Sequence, residues 1–150
     1  DYEKDVLASF DYVVASVHAV LNMDKEKATR RLLKAVENPY TSILGHPSGR
    51  LLLSRKGYPF DYKMIIDACA ANKVVMELNA SPYRLDIDWR WIDYCLSKGV
   101  MISINPDAHE TKGIHDMHYG VAVARKAGLT ADMTLNCLSK EEIMKVFSKK

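Results

Sequence analysis

The sequence predicts an α/β protein in which short parallel β-strands alternate with helices. Three observations lead there. Apolar β-branched runs alternate along the chain with segments whose apolar residues recur at helical spacing. The alternation repeats at intervals typical of βαβ units, which place their strands in a parallel sheet. Turn and capping residues punctuate the boundaries between segments.

Taken in order, "DYVVASV" (11–17) predicts a first strand, and "MDKEKATRRLLKAVEN" a helix with Ala28, Leu32, Ala35 and Val36 on one side. "TSILG" predicts a second strand, and "DYKMIIDACAAN" a helix whose Ile65, Ile66, Cys69 and Ala70 face one way. "KVVMELN" predicts a third strand. "DIDWRWIDYCLSKG" predicts a helix that opens on the acids Asp86 and Asp88 and stops at Gly99. "VMISIN" is a fourth strand and "DMHYGVAVARKAG" its following helix; "MTLNCL" is a candidate for a last short strand. Ser139 and Glu142 stand at capping-box spacing before "EEIMKVF". The pattern fits either a doubly wound sheet or part of a (β/α) barrel. A complete eight-unit barrel needs about 250 residues, so a closed barrel is not expected from these 150 residues alone.

Composition narrows the function classes only a little. The chain is 48% hydrophobic and 27% charged, an ordinary globular balance, and no apolar run reaches the roughly 18 residues of a membrane span. No membrane partner is expected. A net charge of +2, from 21 basic and 19 acidic residues, does not by itself argue for nucleic acid. Cys69, Cys95 and Cys137 are odd in number, widely spaced and set among apolar residues, which predicts buried thiols in a reducing compartment rather than a disulfide framework or a CxxC zinc site. The opening "DYEKDVLASF" has no signal-peptide pattern and no initiating Met, and suggests the interior of a longer protein.

In α/β folds the chemistry sits where strands end, because the loops converge there. The four predicted strands end in Ser16-Val17-His18, Gly45-His46-Pro47, Glu77-Leu78-Asn79 and Asn105-Pro106-Asp107-Ala108-His109. A single histidine at such a place is usually structural. Three histidines and an aspartate at the same end of successive strands would converge on one crevice, and imidazole nitrogen with carboxylate oxygen suits zinc, iron or manganese. His18, His46, Asp107 and His109 are therefore the candidate metal ligands, and metal-assisted hydrolysis of a phosphoryl or carbonyl ester is the chemistry they would support. Arg50, Arg55 and Lys56 follow His46 in "SGRLLLSRKG", and Arg84 follows Asn79; each is a phosphate contact or solvated surface. Glu77 is expected to point opposite to Met76 and Leu78, where a metal or a buried ion pair in the interior could hold it. His115 and His118 are read as surface, and one of Trp89 and Trp91 is expected in the core. There is no Gly-rich phosphate loop, GxSxG elbow or Cys/His nucleophile pair.

"DYVVASVH", "ILGHPSGRLL", "MELNASPYRLD" and "ISINPDAH", in this order, resemble the later motifs of the PHP (polymerase and histidinol phosphatase) metal-dependent phosphoesterases. "GHPSGRLLLSRKGYPFD" and "HYGVAVARKAGLT" more narrowly resemble the C-terminal PHP domain of bacterial family X DNA polymerases. The resemblance implies that residues 1–150 are the C-terminal portion of one PHP domain, part of a distorted (β/α)7 TIM-like barrel whose N-terminal units are missing. It implies up to three divalent ions, manganese or zinc, with His18, His46, Asp107 and His109 at family ligand positions, and Arg50, Arg84 and Asn79 as candidate substrate contacts.

The implied activity is manganese-dependent 3′-5′ exonuclease or 3′-end processing of DNA, in the cytoplasm and behind an upstream polymerase domain. The alternatives are a catalytically silent remnant that serves as a structural or DNA-binding module, or a small-molecule phosphatase of the histidinol-phosphatase type. The family's HxH motif, two further histidines and a metal-binding glutamate have no counterpart in this chain. Ala19 and Pro106 replace residues that are commonly Ser and small polar. The missing units would leave Tyr12 to Val17 at an open sheet edge, which predicts that the edge is covered by another chain or a neighbouring copy, or that the chain folds with an incomplete metal site.

Overall fold

The computed structural model describes residues 2–148. Its strands are β1 (Val14–Ala15), β2 (Ile43–Leu44), β3 (Val75–Asn79) and β4 (Ile102–Asn105). Its helices are α1 (Lys4–Ala8), α2 (Lys25–Val36), α3 (Tyr62–Asn72), α4 (Ile92–Ser97), α5 (Met117–Lys126) and α6 (Lys140–Phe147). The strands form one parallel sheet in chain order β1-β2-β3-β4, in register Val14–Ile43–Val75 and Leu44–Met76–Ile102. The expected α/β class with parallel βα units is what is seen. No helix among the described residues is long and apolar enough to cross a membrane.

Helix starts follow the local chemistry. Asp24 caps α2 by accepting from the Lys27 amide at 2.7 Å, and Asp61 caps α3 through the Met64 amide at 3.1 Å. Ser139 and Glu142 form the anticipated capping box of α6. Lys73 ends α3 in the left-handed conformation.

Because side chains alternate across a strand, the sheet has two unlike faces. One carries Leu44, Met76, Leu78, Ile102 and Ile104 and packs against Leu32 and Val36 of α2, Ile65 and Ile66 of α3, Ile92 of α4 and Ala124 of α5. Each such aliphatic side chain contributes about 1.5–3 kcal/mol on burial, so this layer holds the domain together. The other face carries Ile43 and Val75, covered by Leu135 and Phe147, with Met101 and Ile143 packed alongside. Tyr12 stacks on Phe147 with ring centroids 5.4 Å apart.

Four expectations are corrected. "MTLNCL" is not a strand: it falls in two 3-10 turns, Ala131–Met133 and Leu135–Cys137, and its backbone pairs with the sheet in an isolated bridge from Thr134 to Ile102. The Asn136 side chain takes the place of a strand there, accepting from the Ile104 amide at 2.7 Å and donating to the Ile104 carbonyl at 2.8 Å. The helix expected from Asp86 starts later, with a 3-10 turn at Trp89–Trp91 capped by Asp88, because Asp86 is wholly buried. Cys69 and Cys95 are buried as expected, but Cys137 is exposed, since its turn lies outside both core layers. Finally, the first two strands shrink to two residues each. Trp91 stacks on Tyr62 at 4.6 Å against the core, whereas Trp89 is partly exposed beneath Lys126.

Gly120 fixes the seat of α5. A Cβ there would lie 2.6 Å from both Ala80 Cβ and Ile104 Cγ2. Gly120→Ala gains about 1 kcal/mol in helix propensity, but overpacking costs typically about 1–3 kcal/mol. With two contacts this short the second effect wins, so urea unfolding of the variant should show a lower midpoint; a midpoint at or above the parent's would refute this seat for α5.

Candidate active site at the strand ends

Glu77 lies at the centre of β3 on the same face as Val75 and Asn79, and opposite Ser103 of β4. The residue beside it on the β2 side is Gly45, where a Cβ would come within 3.5 Å of Glu77 Oε2. The closer neighbour of that Cβ would be Val14 Cγ1 of β1, at 3.0 Å. Glu77 Oε2 accepts from the His46 amide at 2.6 Å and from Asn79 Nδ2 at 3.3 Å, while Oε1 accepts from Asn105 Nδ2 at 2.9 Å. Of the two partners expected for Glu77, a metal or a buried ion pair, no ion pair forms among the described residues, and three neutral donors hold the carboxylate instead. Burial raises its pKa despite these bonds.

This anchor aims His46 across the end of the sheet. His46 is buried, at a φ of 26°, and its Nε2 lies 3.2 Å from Nε2 of His18. His18 Nε2 also meets Ser16 Oγ at 3.3 Å. Burial first, and then the Arg84 charge, lowers the His46 pKa and favours neutral imidazole. Two facing ring nitrogens can share one proton or one cation.

Asp107, at a φ of 54°, lies nearby on the β4 loop, and its Oδ2 accepts from Asn79 Nδ2 at 3.2 Å and pairs with Arg84 Nε at 3.4 Å. Backbone strain of this kind at two polar loop residues is common at functional sites. His109 is exposed, and its Nδ1 bonds the Asp107 carbonyl at 2.7 Å, which leaves Nε2 as the ring's acceptor.

Of the four ligand candidates, the structure brings His18 and His46 into contact and links His109 to Asp107 through the backbone. Among the described residues, no three His, Cys, Asp or Glu side chains gather into a group that could hold a metal. The donor set matches a divalent ion in kind: two imidazoles meet, and a carboxylate is held by a cation and an amide. His115 and His118 are exposed, as read.

Arg50 does not extend into this crevice. Its Nε donates to the Arg84 carbonyl at 2.8 Å, its Nη1 to Asp88 at 2.8 Å and its Nη2 to the Leu85 carbonyl, so the guanidinium ties the loop after β2 to the loop after β3. Asp88 is thereby held well below the usual carboxylate range, by Arg90 first and Arg50 next. Beneath them Asp86 Oδ2 accepts from the Ser48 amide at 3.0 Å and its hydroxyl at 2.9 Å. Sequence reading missed Ser48 and Asp86 as a pair; the available signal was that two acids flanking apolar Ile87 cannot both cap one helix.

Burial pushes the Asp86 pKa up to about 6. A carboxylate raised in the folded state favours folding while protonated, and that contribution is lost as pH climbs from about 4 through 6. The shift from 3.8 to about 6 corresponds to about 3 kcal/mol. Asp86→Asn removes the ionisation, so urea-unfolding free energies measured at pH 4.5 and 7.5 should fall less between those pH values than the parent's. Identical pH slopes would rule the assignment out.

No family model matches the chain. Over 143 residues, 95% of its length, it is 36% identical to the DNA polymerase/3′-5′ exonuclease PolX of Bacillus subtilis (strain 168), of which it covers 25%. It is 28% identical over 145 residues, 91% of its length, to a probable phosphatase of Thermoanaerobacter sp. (strain X514), of which it covers 57%. It is 30% identical over 86 residues, 55% of its length, to a probable phosphatase of Caldanaerobacter subterraneus subsp. tengcongensis, of which it covers 32%. The chain thus spans from a quarter to somewhat over half of the length of these relatives. Over nearly its whole length the chain is related to a DNA polymerase/3′-5′ exonuclease, PolX, and it shares that region with probable phosphatases, which is consistent with a PHP-type domain.

Proposed function

We propose that the chain is the C-terminal portion of a single PHP domain, residues 1–150, and that its sheet is part of a distorted (β/α)7 barrel. On this reading it belongs to a metal-dependent phosphoesterase that trims or processes DNA 3′ ends in the cytoplasm, alongside a polymerase domain in the same protein. The observation that carries the reading is the 3.2 Å meeting of His18 and His46 Nε2 at the strand ends, beside the Asp107–Arg84 pair. The likeness to PolX supports DNA as substrate. The likeness to probable phosphatases favours a second reading with the same chemistry on a small phosphate monoester.

His18, His46, Asp107 and His109 would hold the metal, manganese or zinc. The ion would supply Lewis acidity and an activated water at neutral pH. The chain's own residues prepare the place. Neutral His46 keeps a lone pair available, because burial and Arg84 disfavour its protonated form. The Asp107 carbonyl fixes the His109 ring. Arg84 and Asn79 hold Asp107 through its Oδ2, and the Arg84 charge beside it would orient phosphoryl oxygens by charge-assisted bonds. Arg50 acts one step back, keeping the Arg84 backbone in place. The exposed β1 edge is where further strands of the domain, or a second copy, would add.

The test is metal content and manganese-dependent nucleotide release from a DNA 3′ end by the full-length protein, with and without Asp107→Asn. The parent should bind metal and release nucleotides, and the variant should lose about 100-fold or more in rate. A metal-free, inactive parent overturns the enzymatic reading. Activity confined to small monoesters replaces DNA by the second substrate class.

A further inference from the structure

Residues 51–55 form a small hairpin, closed by the Leu51–Arg55 bridge, whose tip faces solvent. Leu53 at the tip is fully exposed at a φ of 63°, and Leu52 is 37% exposed. The Leu52 amide donates to the Tyr83 carbonyl at 2.6 Å, which fastens the hairpin to the loop after β3. Tyr83 is 71% exposed, and among the described residues its ring has no aromatic, cationic or hydrogen-bonding partner. Neither core layer accounts for these apolar groups. Yet the next residue, Arg84, sits on Asp107 in the crevice.

The charge around them is one-sided. From His46 to Phe60 the chain carries Arg50, Arg55 and Lys56 and no acid. Arg50 is neutralised by Asp88, but Arg55 donates only to the Gly49 carbonyl and exposed Lys56 forms no ion pair among the described residues. The hairpin also walls a cleft lined by Arg55, Lys56, Tyr58, Phe60 and Tyr62. An exposed aromatic face, on a loop fastened to a hairpin that carries cations without an acidic partner and one residue from Arg84 in the strand-end crevice, is the combination that binds single-stranded nucleic acid: charge tracks the backbone and the ring stacks on a base.

We propose that Tyr83, braced by the Leu51–Arg55 hairpin, is the stacking platform for a base near the end of a single strand, with Lys56 and Arg55 contacting its phosphates. The inference deepens the proposed function and rests on it for the nature of the substrate. It makes Tyr83 a specificity residue, one that separates a polynucleotide from a small phosphate ester.

The experiment is fluorescence anisotropy of a single-stranded oligothymidylate with the 150-residue chain in EDTA, so that hydrolysis plays no part. Tyr83→Ala should weaken binding about tenfold and Tyr83→Phe by less than about twofold, since the ring is kept. An oligonucleotide of abasic residues should bind weakly and respond equally little to both variants. Lys56→Ala should reduce the slope of log affinity against log salt by about 0.7. The inference is overturned if Tyr83→Ala binds like the parent, if Tyr83→Phe loses as much as Tyr83→Ala, or if polyglutamate competes as well as the oligonucleotide. Tyr83-dependent binding by a protein without metal or hydrolysis would sink the proposed function and sustain this inference; hydrolysis of DNA with Tyr83-independent binding would do the reverse.

Discussion

A carboxylate buried in the middle of the sheet sets the geometry of everything above it. Glu77 cannot lie there without donors, because an unsatisfied buried carboxylate would cost several kcal/mol. Its donors come from three adjacent strands: the His46 amide after β2, Asn79 at the end of β3 and Asn105 at the end of β4. Meeting them fixes where β2 stops and turns, which strand residues face each other, and how the Asn79 amide is left to reach Asp107. Gly45 sits beside the carboxylate on the β2 side, where a Cβ would lie 3.0 Å from Val14 Cγ1 of the neighbouring strand.

The second tie lies to the side of the first and works differently. Arg50, Ser48, Asp86 and Asp88 join the loops after β2 and β3 by hydrogen bonds that involve charged groups, which are stronger than neutral ones when desolvated. Because Arg84 is gripped through its own carbonyl by Arg50, its side chain approaches Asp107 from a fixed backbone. Glu77 thus orients His46, and Arg50 orients Arg84. The two ties converge on the same crevice from opposite sides.

Much of this order is legible in the residues, and what is not has identifiable causes. The alternation of β-branched runs with helical spacing yields the parallel order of strands and five of the helices, because one face of each element is uniformly apolar. Strand lengths at β1 and β2 are not legible, since hydrophobic runs continue past the residues that pair. "MTLNCL" carries strand-like composition, but the Asn136 amide serves Ile104 in place of a backbone ladder. At the site, residue types at strand ends mark His46 and Asp107, whereas the roles of Glu77 and Arg50 depend on partners about 30 residues away. Spacing within a loop can suggest that Arg50 is free for phosphate. Only the fold shows that its guanidinium is spent on the neighbouring loop.

The two edges of the sheet are unequal, and this limits how the structure can be extended. At β4 the Ile104 amide and carbonyl are both taken by Asn136 and Ile102 is bridged to Thr134, so the ladder ends in side-chain and turn contacts. At β1 no strand among the described residues lies beyond Val14 and Ala15, and Val14 is substantially exposed. On the face shared by Val75, Glu77 and Asn79, α6 covers the apolar end, at Ile43 and Val75, while Glu77, Ser103 and Asn105 line a cleft beside it. Strand pairing that added to this sheet would therefore enter at β1, and polar groups completing the crevice would approach over the uncovered end of that face. His18, which follows β1 and is exposed, stands at that edge of the sheet.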